Sequence, residues 1–265
     1  MSGVWDGPSA TAFDAVTALA SAGVYLIVAL AALAYAPRDP RVRAFLATAV
    51  AGIAPYWVTA QFWAWGWRAT LSKGTILFLA LSLMIGSLAL FHFTQLFPWR
   101  RPWIRAHRRL LWAAYAAAPV PVVFGALLIP DPGFAETGGI GAVSAGAGLV
   151  IALVLGLLFL TAVFVLGLVV PFGALMSLHK SWLAARTHGI ESARSTTLWM
   201  LVSQLGGGVL TILVIPLLHI VAPGGFLVVA ASALLFASAM MMPVAFALGV
   251  WRLRVLEVDI EGLPQ

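Results

Sequence analysis

The sequence predicts an all-α integral membrane protein with seven transmembrane helices, the N-terminus outside and the C-terminus in the cytoplasm. Three observations carry this expectation. The composition is 62% hydrophobic and only 9% charged, with a mean hydropathy of +1.03, whereas a soluble domain carries about a quarter charged residues. Apolar runs of about 20 residues, the length that spans a bilayer as a helix, recur along the chain. The basic residues between those runs alternate sides. Strand-like alternation is absent, which argues against a membrane β-barrel.

Taken in order, the runs are Phe13–Ala36, Ala44–Trp65, Gly74–Phe97, Leu110–Ile129, Gly148–Leu178, Leu198–Val221 and Phe226–Val250. Residues 1–12 form an external tail carrying Asp6 but no Lys or Arg, unlike the basic start of a signal peptide. The first connection holds Arg38, Arg41 and Arg43, and the third holds Arg100, Arg101, Arg105, Arg108 and Arg109. The fifth holds Lys180, Arg186 and Arg194, and the tail 251–265 holds Arg252 and Arg254. Only Arg68 and Lys73 fall on the opposite side, so thirteen of fifteen basic residues share the side that the positive-inside rule makes cytoplasmic. An even helix count would scramble this alternation. The same rule accounts for the net charge of +6, so no nucleic-acid partner is expected.

The fifth run has no charge from Ala142 to Leu178, roughly 55 Å as one helix at 1.5 Å per residue. Two crossings would invert the charge pattern downstream. One helix is expected, entered through Gly141–Gly148 and kinked at Pro171, with Phe172–Trp182 projecting into the cytoplasmic headgroup layer or beyond it. Pro130–Gly141 reads as a turn-rich external connector. No internal repeat stands out, so the whole of 1–265 reads as one seven-helix domain.

Chemistry is sparse. No Asp, Glu, Lys or Arg lies in the middle of a predicted helix, which weakens pumps and ion-coupled transporters. Phe226–Val250 has no lysine for a retinal Schiff base. The absence of cysteine excludes disulfides and thiolate sites. His92 and His219 are the two histidines inside helices, at opposite membrane levels, so they cannot share a metal. Each is a satisfied interhelical histidine or a single axial ligand; no cofactor and no metal are expected. Tyr56, Trp57 and Trp63 crowd the external end of the second helix, as an aromatic belt or a shallow ligand pocket. Arg100, Arg101, Arg105, Arg108 and Arg109 interleave with Trp99 and Trp103, as a cytoplasmic anchor or a surface for anionic lipid or a protein partner. Gly206, Gly207 and Gly208 permit close helix packing or a hinge, with Ala230, Ala233 and Ala237 as small contact residues in the last helix.

Three stretches carry a resemblance: Phe91-His92-Phe93 with Leu96-Phe97-Pro98 and Arg100-Arg101-Pro102-Trp103; Ala193-Arg194 leading into Leu198-Trp199-Met200-Leu201; and Arg254-Val255-Leu256-Glu257-Val258-Asp259. Together they resemble the N-terminal multi-pass sensor region of bacterial histidine kinases and related signalling proteins. The third is similar to that family's arginine-leucine-phenylalanine-aspartate-isoleucine-aspartate junction. The resemblance implies about seven helices in the inner (plasma) membrane and a junction that leads into cytoplasmic output domains. The motifs of an ATP site are missing and the sequence stops six residues after Asp259, so the expectation is an orphan sensor-like module with separate partners or a piece of something longer. A non-enzymatic sensor module ranks first. A structural or accessory subunit of a larger membrane complex, binding lipids or pigments, ranks second. A transporter or channel ranks third.

Overall fold

The computed structural model describes residues 8–65, 73–128, 165–209 and 226–257, together with positions 154, 157, 161, 214 and 217. Every regular element among them is helical. Helices α1 (Pro8–Tyr35) and α2 (Pro40–Trp65) form the first hairpin. Its turn follows from Asp39-Pro40. Proline at the first helical position has no N–H to leave unsatisfied, and Asp39 Oδ1 accepts the Arg41 N–H at 2.8 Å as an N-cap. After α3 (Lys73–Leu96) the chain turns through the cis peptide Phe97-Pro98. Three short helices follow: α4 (Pro102–Ala106), α5 (Arg108–Ala117) and α6 (Pro119–Leu128).

A π-helical turn, Val165–Val169, leads into α7 (Val170–Thr187). It lies directly before Pro171, whose missing N–H interrupts the regular ladder. At the end of α7, Gly189 takes φ +69°. Its N–H donates to Arg186 O at 3.3 Å, and the Ile190 N–H donates to Ala185 O at 2.9 Å. This closure satisfies the last carbonyls and calls for a left-handed residue, which glycine adopts without a Cβ penalty. Helices α8 (Glu191–Val209) and α9 (Phe226–Trp251) follow, and a 3-10 turn, Val255–Glu257, ends the described chain.

The long helices touch in a closed cycle: α1 with α2, α2 with α3, α3 with α7, α7 with α8, α8 with α9, and α9 with α1. All six contribute to one core, through Ala29, Phe45, Phe93, Leu178, Met200 and Phe246. A smaller cluster of Met84, Leu88, Ala118 and Val122 seats α5 and α6 against α3. Among the described residues three helices are long and apolar enough to cross a membrane, over Val16–Tyr35, Leu77–Leu96 and Ala233–Trp251. They mark the chain as a membrane protein.

Several sequence-based boundaries move. The expected third loop is largely helical, as α4 and the start of α5, and α8 begins at Glu191 rather than Leu198. Hydropathy registers where a helix leaves the bilayer, and polar turns carry these helices further. Residues 8–12, expected in the tail, belong to α1. Within Phe172–Trp182, Ala174, Leu178 and Ser181 are buried where α7 meets α3 and α8. Ala233 and Ala237 are exposed, and α9 turns Ala231, Ser238, Met242, Ala245 and Gly249 inward instead. The connector Pro130–Gly141 and the entry Gly141–Gly148 lie outside the described residues.

Candidate functional site

Three features stand out, two at the basic end of the helix ring and one deeper among the helices. The first is a clamp built on Arg41, in the first turn of α2. Its guanidinium pairs with Asp39, Nη2 to Oδ2 at 2.8 Å, and both side chains are largely buried. The same group donates from Nη1 to Pro98 O at 2.8 Å and from Nη2 to Leu256 O at 2.6 Å. One planar donor fork therefore ties the first loop, the turn after α3 and the junction after α9. The junction itself is seated: Val255 is fully buried in the central core, and Leu256 packs against it. Phe93, Phe97, Met200 and Val255 all belong to this one central core.

The second feature is a cavity of about 200 Å³ among α1, α2, α3, α8 and α9. Its polar lining is Tyr25, Thr48, Ser82, Ser87 and Gln204, with Met242 beside them. The Gln204 amide donates to the Met242 thioether at 2.9 Å, a weak acceptor. Tyr25 and Met242 also belong to the central packing. From there the aromatic rings run toward the clamp: Tyr25 to Phe45 at 6.1 Å, Phe45 to Phe93 at 5.4 Å, and Phe93 to Phe97 at 5.2 Å. Phe246 closes the cluster, stacked on Phe45 at 4.0 Å.

The third feature is a cavity of about 290 Å³ between the end of α3, α4 and α7. Arg101 and Lys180 both line it, with Gln95, Ser177 and the rings of Phe91 and Trp103. Arg101 Nη2 donates to Ser177 O at 2.6 Å and to Ser181 Oγ at 2.9 Å. The Ser177 hydroxyl in turn donates to Thr94 O at 2.9 Å. Arg101 Nε is buried without a hydrogen-bond partner. Burial pushes the Arg101 guanidinium below its ordinary value, because desolvation disfavours the charged form.

The sequence-predicted residues distribute unevenly over these features. Arg101 separates from its neighbours: Arg100, Arg108 and Arg109 are exposed, while Arg101 reaches across to α7. It is therefore not part of a uniform basic surface, and the side chain of Arg105 lies outside the described residues. His92 is half-buried on α3, its ring 6.2 Å from Tyr115, and His219 lies outside the described residues. Trp57 is exposed, and neither cavity includes it; the side chains of Tyr56 and Trp63 lie outside the described residues. Among the described residues no three His, Asp or Glu come together as a metal site would need. Gly206 sits against α9, where an added Cβ would lie 3.1 Å from Ser238 Oγ; at Gly207 the same distance is 3.5 Å. Beside them Ser203 and Ser238 exchange hydrogen bonds, Oγ to O, at 2.6 and 2.9 Å.

Arg41 and Lys180 were the residues that sequence reasoning missed. Each counted only as one loop charge, and the sole local signal was the Asp-Pro-Arg start of α2. No known protein-family model, curated protein or solved structure matches the chain.

Proposed function

We propose that this chain is a non-enzymatic multi-pass membrane module of sensor type, which passes the state of an intramembrane cavity or of the surrounding bilayer to a protein partner through the junction after α9. The observation that carries this reading is the bond from Arg41 to Leu256 O at 2.6 Å. It joins the junction to the same packed core that lines the cavity. Close-packed cores have discrete arrangements rather than continuous ones, so a change in cavity volume is felt at the clamp. Contiguity alone is not coupling, and the test must measure coupling directly.

The proposed topology is seven spans, N-out and C-in, in the inner membrane. Its support is the sharing of one side by thirteen of fifteen basic residues and the meeting of the first loop, the turn after α3 and the junction at Arg41. Reporter fusions after Pro37, Arg105, Ala185 and Gln265 are expected to read cytoplasm, and those near Gly66, Gly133 and Gly224 the outside. A cytoplasmic signal at Gly133 ends the seven-span model.

Gly52 lines the cavity, and an added Cβ there meets nothing within 4 Å. Gly52→Leu therefore fills the cavity from within and mimics an occupant. Hydrogen exchange at Val255–Glu257, measured in nanodiscs, is expected to change severalfold in this variant while the rest of the core keeps its protection. Unchanged junction exchange in Gly52→Leu, across bilayers of different thickness, disposes of the sensor reading.

A further inference from the structure

We infer that the cavity between α3, α4 and α7 is a binding site for the headgroup of an anionic glycerophospholipid, with Arg101 and Lys180 on its phosphate and the acyl chains along α7. This inference does not depend on the sensor reading, because it uses a different cavity and different residues.

The charge argument comes first. A partly buried guanidinium is costly unless it is compensated. Among the described residues Arg101 is compensated by neutral oxygens, Ser177 O and Ser181 Oγ. No carboxylate pairs with it among the described residues, and none lines the cavity. A second cation, Lys180, lines the same space. Two cations that share a recess repel unless an anion lies between them. A guanidinium fork and an ammonium together are the usual partners of a phosphate. Gln95 and Ser177 add neutral polar groups at the same rim.

Depth distinguishes a lipid from a free anion. Gln95 lies in the last turn of the apolar span Leu77–Leu96, and Phe91 is one turn deeper. Arg101 stands just past the end of that span, at the level where headgroups lie. Trp103 packs edge-on against Phe91 at 5.6 Å, an amphipathic ring at the interface level. From the cavity an exposed apolar track leads away along α7 and into the π-helical turn before it: Met176, Phe172 and Val169 are 42, 62 and 49% exposed. Lys180, Met176 and Phe172 are spaced four residues apart, which places them on one face of α7. A free phosphate has no use for that track; an acyl chain does. The floor is also tight, since a Cβ on Gly173 would lie 3.3 Å from Phe91 Cε2.

The test uses the full chain in detergent, titrated with short-chain phosphatidylglycerol, short-chain phosphatidylcholine and inorganic phosphate. Phosphatidylglycerol is expected to bind at least about fivefold more tightly than phosphatidylcholine, the factor that one interfacial cation supplies. Lys180 is exposed, so Lys180→Gln should fold normally and lose about that factor for phosphatidylglycerol alone. Arg101→Lys keeps the charge without the fork and is expected to weaken binding as well. Arg108→Gln removes an equal charge from the exposed face and should change nothing. Equal affinity for the two lipids overturns the site, as does an equal loss in Arg108→Gln, which would mean diffuse surface charge. Inorganic phosphate binding as tightly as phosphatidylglycerol overturns the lipid and leaves a free-anion site.

Discussion

A Cβ atom on Gly249 would lie 2.8 Å from Cγ2 of Thr196, the tightest such approach at any described glycine. Thr196 cannot easily give way. It is buried, and its hydroxyl is tied to Ser192 O at 2.8 Å within α8. The pair sets the spacing of α8 and α9 near the junction, where small residues let helix backbones approach.

Gly249→Ala is therefore expected to destabilise the fold by about 1–3 kcal/mol, the usual cost of overpacking. The double variant Gly249→Ala with Thr196→Ser removes the clashing methyl and keeps the hydroxyl, so it should recover most of the loss. Thermal unfolding midpoints of the single and double variants check this. An unaltered midpoint in Gly249→Ala would show that the helices are free to separate.

The same helix pair separates two adjacent glycines. Gly206 has the closer approach to Ser238, and Gly207 has ordinary contact distance. Gly206→Ala pushes on the reciprocal Ser203–Ser238 bonds and should lower the midpoint. Gly207→Ala should be neutral or stabilising, because alanine is favoured over glycine in a helix by about 1 kcal/mol. If Gly207→Ala keeps its stability but loses the exchange response of the junction to cavity filling, α8 bends there in use. Comparing midpoints with junction exchange in both variants distinguishes spacing from bending.

How much of this was legible in sequence varies with the physics. The Asp39-Pro40 start of α2 and the Gly189 stop of α7 follow from local rules, and both are visible in the residues themselves. The inward face of α9 was not. A helix apolar on all sides has no contrast for periodicity to read, so Ala233 and Ala237 looked as good as Ala231 and Ser238. Five arginines in one short stretch likewise look alike. Only the arrival of Ser177 and Ser181 from α7 singles out Arg101. Arg41 is the same case, since beyond the neighbouring Asp39 its partners are distant carbonyls at Pro98 and Leu256.

That difference between arginines is measurable. Arg100→Gln removes an exposed charge and should leave stability unchanged. Arg101→Gln removes two bonds from a charged donor, to Ser177 O and Ser181 Oγ, for an expected loss of about 1.5–3 kcal/mol. Midpoints measured in neutral detergent, with no anionic lipid present, isolate this packing role from any ligand. Equal behaviour of the two variants would return Arg101 to the surface group.

Arg41 governs how firmly the junction is held. Arg254 takes φ +49°, a conformation that costs a non-glycine residue about 1 kcal/mol or more and persists only where neighbours enforce it. The enforcement comes from two sides: Val255 is buried in the core, and Arg41 holds Leu256 O. Arg41→Lys keeps the positive charge and the solubility of this end. A single ammonium on a flexible stem cannot reproduce a planar fork that serves Asp39, Pro98 and Leu256 together. Loss of one charged hydrogen bond to the junction, about 2 kcal/mol, corresponds to roughly thirtyfold faster local opening. Hydrogen exchange of the Val255–Glu257 amides should therefore accelerate by about that factor in Arg41→Lys. Helices α3 and α9 should keep their protection, because Phe45, Phe93 and Phe246 still pack. Arg254→Gly combined with Arg41→Lys removes the backbone strain, and should slow the opening again if strain drives release. Exchange at the junction that matches the unaltered chain in Arg41→Lys would mean that Val255 alone seats it, and the clamp would then have no part in output.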